Sequence, residues 1–168
     1  MKLSVVVTVY NELENIQPLI DRINGALLGG GMTDYEIVYV DDGSNDGTVK
    51  KLKSIDDPRL VFVEFRKNYG QSLALMAGID IARGDFIATM DGDLQTDPLD
   101  IPAMVEMVEG DEWDLVVGER VNRQDGALLR KIPSRIANWI IRNLSGVHLR
   151  DYGCALKVFR SEIAKDMG

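Results

Sequence analysis

Short β-branched runs alternate with amphipathic stretches along most of this chain, and that alternation narrows the fold more than any other feature. Leu3 to Val9, Glu36 to Val40, Leu60 to Phe65, Phe86 to Met90 and Leu115 to Gly118 read as strands. Ile16 to Leu28, Thr48 to Ile55, Ser72 to Ala82 and Leu99 to Val108 read as helices. Strands separated by helices are joined by crossovers, which predicts an α/β fold: a mostly parallel sheet with helices on both faces. Ligands in such folds collect beyond the carboxyl ends of the strands.

The polar clusters fall at those ends. Tyr10-Asn11-Glu12 follows the first strand, Asp41-Asp42-Gly43-Ser44 the second, Arg66-Lys67-Asn68 the third, Asp91 to Gln95 the fourth, and Glu119-Arg120 the fifth. Each alone reads equally well as a turn or a helix cap; together they read as a site. Asp91-Gly92-Asp93 is the sharpest of them. Two carboxylates separated by one glycine suit a hard cation such as Mg²⁺, which takes carboxylate oxygens and keeps positions for substrate phosphates, and Gly92 lets the backbone pass close by. The other reading of the triplet is a solvated turn.

Several classes drop out. A chain of 168 residues, 45% hydrophobic, builds one real core and is read as one domain over 1–168. No run approaches the ~18 apolar residues of a membrane span. The start enters strand-like sequence at once with no cleavage site, so secretion is not indicated. Cys154 and His148 stand alone, which excludes an intrachain disulfide and a Cys/His zinc cluster. The end, Ser161 to Gly168, reads as a helix that is capped and then stops, so the domain is expected to be cut short at its C-terminal end. Gly29-Gly30-Gly31 is expected to be a flexible turn.

The net charge of −8 argues against a general nucleic-acid binder, yet the charge is uneven. Arg120, Arg123, Arg130, Lys131, Arg135, Arg142 and Arg150 face one acid, Asp125, in the same stretch. Such a segment suggests a local anionic ligand or a membrane surface. Leu128, Ile132, Ile136, Ile140 and Leu144 recur every fourth residue between these cations. That spacing is met either by a core-packed helix or by a basic amphipathic helix at a bilayer surface that receives a lipid phosphate.

Asp42, Ser44, Asp46 and Gly47 match the early positions of a calcium loop, but Lys53 stands where its bidentate Glu belongs. Neither a dinucleotide glycine fingerprint nor a P-loop is present. A nucleotide's anion would therefore be managed by a metal and basic side chains. A carboxylate in the Asp41-Asp42 cluster could accept hydrogen bonds from a base N–H or ribose hydroxyls, while Asn45 or Asp46 caps the helix that follows.

Val5-Val6-Val7-Thr8-Val9-Tyr10-Asn11-Glu12, then Val40 to Thr48, then Met90-Asp91-Gly92-Asp93-Leu94-Gln95, resemble the family 2 glycosyltransferases. Val116 to Arg120, Ser134-Arg135 with Asn138, and Asp151 to Arg160 look like the polyprenyl-phosphate branch of that family, to which dolichol-phosphate mannose synthase and the undecaprenyl-phosphate sugar transferases belong. The resemblance implies a GT-A fold, a Rossmann-like three-layer arrangement. It also implies transfer of a sugar, with inversion, from a UDP- or GDP-linked donor bound through Mg²⁺ or Mn²⁺ to a polyprenyl phosphate, either undecaprenyl or dolichyl.

By matching position, Thr8, Tyr10, Glu12, Asp42, Asp91 and Gly92 would bind the nucleotide, and Asp91, Asp93 and Gln95 the metal and diphosphate. Arg120 and Arg135 would hold the acceptor phosphate or the donor diphosphate, and Asp151 would lie near the sugar or the acceptor entrance. These arginines, with Asp91, Asp93 and Asp151, form the expected catalytic set. Thr8 departs from the proline of many relatives, yet its side chain can still hydrogen-bond the nucleotide. The branch usually continues past a position like Gly168, which leaves open whether this chain holds an acceptor.

A cytoplasmic protein, or one on the cytoplasmic face of a membrane, follows as the expectation, with a membrane surface and a homo-oligomer as partners and no nucleic acid. No Q-x-x-R-W segment points to a processive synthase. The alternatives are a family member acting on a soluble or cell-surface saccharide, a receiver-like phosphoacceptor domain with Asp42 as the labelled residue, and a non-catalytic nucleotide-sugar binder.

Overall fold

The computed structural model describes residues 1–110, 112–118 and 154–166. Met1–Val117 and Ala155–Gly168 form one compact unit that holds every element below; Gly118–Cys154 forms a second, of which only Gly118 and the buried Cys154 are described. The first unit contains strands β1 (Leu3–Val9), β2 (Tyr35–Asp41), β3 (Leu60–Glu64), β4 (Phe86–Asp91), β5 (Leu115–Val117) and β6 (Lys157–Arg160). Its helices are α1 (Ile16–Gly29), α2 (Thr48–Lys53), α3 (Gln71–Ile81), α4 (Ile101–Glu109) and α5 (Ser161–Asp166), with a 3₁₀ turn at Pro98–Asp100 before α4.

The strands line up as β3-β2-β1-β4-β6-β5. β3, β2, β1 and β4 pair in parallel; β6 runs antiparallel between β4 and β5. The sheet is thus mostly parallel, as expected. The strand missing from the sequence reading is β6: Lys157-Val158-Phe159-Arg160 is short and flanked by a helix, and it takes its place only because β4 offers Phe86 to Thr89 as a free edge.

β1 and β2 are buried along their whole length, which requires cover on both faces. On one face Val6, Val38, Val40, Ile87 and Phe159 pack with Ala74, Ile79 and Ala82 from α3 and its end and with Ala164 of α5. With a period of two, the alternate residues Val5, Val7, Ile37 and Tyr39 point to the other face, all essentially inaccessible. α1 buries Ile16, Leu19, Ile20, Ile23 and Leu27 and packs on α4. Gly78 brings α3 unusually close to the sheet: a Cβ there would lie 2.4 Å from Val6 Cγ1 and 3.0 Å from Val40 Cγ2. No described helix is long and apolar enough to cross a membrane.

Candidate active site

Four parallel strands end at the same edge of the sheet, and the residues just past them decide what that edge can bind. β1 ends at Val9 and β2 at Asp41, which stand opposite each other in register, while Thr8 stands opposite Asp91 of β4. A cleft of about 340 Å³ opens over these ends, lined by Thr8, Tyr10, Glu12, Asp42, Asp91, Gly92 and Asp93 among others. Every described residue expected to bind nucleotide therefore faces one space. Gln95 does not line it: Leu94 takes a left-handed φ of 60°, Gln95 emerges exposed, and its backbone N–H donates to Asp93 Oδ1 at 3.0 Å. Arg120, Arg135, Asp151 and the 128–144 stretch lie outside the described residues.

The two carboxylates of the triplet are held by the strand beneath them. Gly92 N–H donates to Thr8 O at 3.1 Å, and a Cβ on Gly92 would stand 2.4 Å from Val9 Cγ1. The backbone thus turns off β4 pressed against β1, which sets Asp91 and Asp93 on the rim with both side chains partly exposed. Among the described residues no three His, Cys, Asp or Glu side chains gather into a metal cage. Two carboxylates without a third fit a cation that completes its coordination with phosphate oxygens and water, as Mg²⁺ does.

Hydrogen bonds between loops fix Glu12 and its neighbours. After Tyr10, the β1–α1 loop is tied to the β2–α2 loop: Asn11 N–H donates to Ser44 Oγ (2.8 Å), Glu12 N–H to Thr48 Oγ1 (3.0 Å) and Leu13 N–H to Asp46 Oδ2 (3.2 Å). Asn11 adopts φ 57° and returns the favour by accepting from Asn45 N–H at 2.9 Å. Asp46 also accepts from Thr48 N–H and Oγ1–H. Burial alone would raise its pKa, but the hydroxyl and amide donors of Thr48 and Leu13 hold its carboxyl below the usual range. The motif read as a cap is a buttress for the neighbouring loop as well.

Asp42 does more than the sequence suggested. Only 4% exposed, it accepts from Tyr69 N–H (2.7 Å) through one oxygen and from Gly70 N–H (2.9 Å) through the other. This clamps the β3–α3 loop over the cleft and brings in Asn68, from the third strand-end cluster, together with Gly70 and Gln71, to which the sequence reading gave no role. Asp41 stands beneath, fully buried, and accepts from Gly43 N–H and Ser44 N–H. Both oxygens of Asp42 are thus engaged by backbone amides, while its side chain still borders the cleft.

The family model for glycosyl transferase family 2 matches residues 4–168. Dodecaprenyl-phosphate galacturonate synthase of Rhizobium johnstonii is 48% identical over 99% of this chain and 50% of its own length. Undecaprenyl-phosphate 4-deoxy-4-formamido-L-arabinose transferase of Yersinia pestis is 41% identical over 99% of this chain and 51% of its own length. The chain thus spans about half the length of these curated relatives. Among solved structures, the mannosyltransferase of Pyrobaculum calidifontis in complex with GDP-Man and Mn²⁺ superposes with a TM-score of 0.70 at 22% identity, over 99% of this chain and 46% of that one. Glucosyl-3-phosphoglycerate synthase of Mycobacterium tuberculosis with UDP gives 0.73 at 22% identity, over 96% and 57%. At that identity the likeness establishes the fold, which is GT-A.

Proposed function

The chain belongs to glycosyl transferase family 2, and from that premise we propose that it moves a sugar, with inversion, from a UDP- or GDP-linked donor to a polyprenyl phosphate. The names of its relatives support the acceptor class. The observation that carries the donor side is that Tyr10, Glu12, Asp42 and the Asp91–Asp93 pair all line one shared cleft.

In this reading Tyr10, Glu12 and Thr8 line the nucleoside pocket, and Asp91 and Asp93 hold Mg²⁺ or Mn²⁺. The cation, when bound, offsets the negative charge that develops on the β-phosphate as the anomeric bond breaks. The residues of the chain orient the donor so that its anomeric carbon faces the acceptor. A lipid monophosphate is already an oxyanion at neutral pH, so it attacks without a general base. A sugar hydroxyl would need a carboxylate to take its proton. One phosphate oxygen–carbon bond forms, the carbon–oxygen bond to the diphosphate breaks on the opposite side, and its electron pair leaves with the nucleoside diphosphate. Arg120 and Arg135 serve to bring two anions together, for which a fixed charge and bidentate fork suit arginine. To Asp151 we assign a role near the sugar or the acceptor entrance, as the family pattern implies. We propose that the reaction takes place in the cytoplasm or at the cytoplasmic face of a membrane.

A thermal-shift panel of UDP, GDP and their sugars, with and without Mn²⁺, tests the donor side. One nucleotide class stabilises the chain in a metal-dependent way, by about 2.7 kcal/mol at a hundredfold excess over Kd, and Asp93→Ala abolishes the effect. No shift with any nucleotide overturns the reading. Transfer to a polyprenyl phosphate in preference to free saccharides tests the acceptor.

A further inference from the structure

We propose that Gln71 is a positioning residue for Asp91, held at its post by the loop that Asp42 clamps. The inference rests on the reading of Asp91 and Asp93 as a metal and diphosphate grip. Gln71 is the first residue of α3, and its Nε2–H donates to Asp91 Oδ1 across the cleft, from a strand end twenty positions further along the chain. Both residues line the cleft.

What precedes Gln71 leaves it little freedom. Tyr69 and Gly70 are pinned to Asp42 through their N–H groups. Behind them, the backbone of Lys67 and Asn68 lies so close to the β2–α2 turn that a Cβ on Gly43 would stand 2.3 Å from the Lys67 carbonyl carbon. The Tyr69 ring meets Phe65 edge to face at 5.5 Å, and Lys67 Nζ sits 5.1 Å from the same ring. On the far side, Ala74 is fully buried and its N–H closes the first helical turn on Gly70 O at 3.2 Å. The Cα of Gln71 is therefore set by β2, β3 and α3 together.

The residue type matters as much as the place. An ionised carboxylate has about four lone-pair sites, so an amide N–H orients the group while taking only one of them. A lysine or arginine at this position would compete with the cation for the same charge, and a second carboxylate would repel Asp91 whenever the metal was absent. A neutral donor fixes the group without altering the charge of the grip. Partners of this kind commonly change metal affinity by 10–100-fold when removed.

Mn²⁺ uptake, followed by the electron paramagnetic resonance signal of free Mn²⁺ in the presence of UDP or GDP, tests this without turnover. Gln71→Leu keeps the bulk and removes the donor; it is expected to raise the Mn²⁺ concentration for half-saturation at least about tenfold. Ser72→Ala, in the same turn but outside the cleft lining, leaves it within twofold, and both variants unfold in EDTA near the wild-type temperature. Equal Mn²⁺ uptake by the wild type and Gln71→Leu overturns the assignment. So does a Gln71→Leu chain that melts earlier in EDTA while its folded fraction binds Mn²⁺ as the wild type does, since Gln71 would then only start the helix. No uptake by the wild type itself sinks the reading of the Asp91–Asp93 pair, and this inference with it.

Discussion

Glu36, one residue into β2 and at the end of the sheet away from the cleft, shows how a single buried carboxylate joins segments far apart in the chain. Its side chain is 1% exposed and accepts from Ser4 Oγ–H (2.7 Å), Arg83 N–H (2.8 Å) and the Arg83 guanidinium. Burial works to raise its pKa, but the bonds from Arg83 and Ser4 outweigh it and hold the carboxyl below the ordinary range. A depressed folded pKa means that the contribution to stability is complete above the ordinary value of 4.5 and fades as the pH falls through the lower folded value. Glu36→Gln is therefore expected to lower the unfolding midpoint at pH 7 by roughly 4–8 °C. Its loss of stability below pH 4.5 is expected to be shallower than that of the parent; parallel melting curves from pH 7 to 3 check both. At this scale the grouping of Thr8, Tyr10, Glu12, Asp42, Asp91 and Asp93 around one cleft was legible because each lies at the end of a strand, or shortly past it, whose direction the alternation already fixed. Gln71 was not, because its partner lies on another strand and the loop that delivers it is shaped by Asp42. Gln95 stands outside the cleft lining, past a left-handed turn at Leu94 that local spacing does not announce.

The alternation of elements predicted four of the five described helices and five of the six described strands, with ends shifted by a few residues. α2 stops at Lys53 instead of Ile55, and α4 opens through a 3₁₀ turn because Pro98 and Pro102 favour a tight start. α5 matches the capped helix read at Ser161. β6 was hidden because four residues carry too little period to stand out, and only pairing with β4 and β5 gives them a strand's identity. α3 is the element on which the cleft depends most. Its N-terminus carries Gln71, and one turn before its end Gly78 meets Val6 and Val40. Gly78→Val must push the helix off the sheet, with an expected cost of about 1–3 kcal/mol in denaturant unfolding. Metal-dependent nucleotide binding is expected to fall as well, although the substitution lies on the buried side of the helix away from the cleft lining.

Across the molecule, a sheet of parallel crossovers is completed by one strand that returns from late in the sequence to lie beside β4. The parallel pairing of these crossovers was open to sequence reasoning; the strand order and the insertion of β6 between β4 and β5 were not, because they depend on contacts between segments far apart. A chain that stops after Glu109 keeps all four parallel strands but lacks β6. It is expected to self-associate, as light scattering and size-exclusion elution would reveal, whereas a chain that retains Lys157–Arg160 remains dispersed. The same feature sets a timetable for synthesis. β4 leaves the ribosome with one edge of Phe86 to Thr89, the one away from β1, unpaired, and at roughly 5–20 residues per second its partner there follows only several seconds later. Through that interval the nascent chain carries a sticky border of its own, which makes a chaperone that shields exposed strand edges a natural companion of its birth.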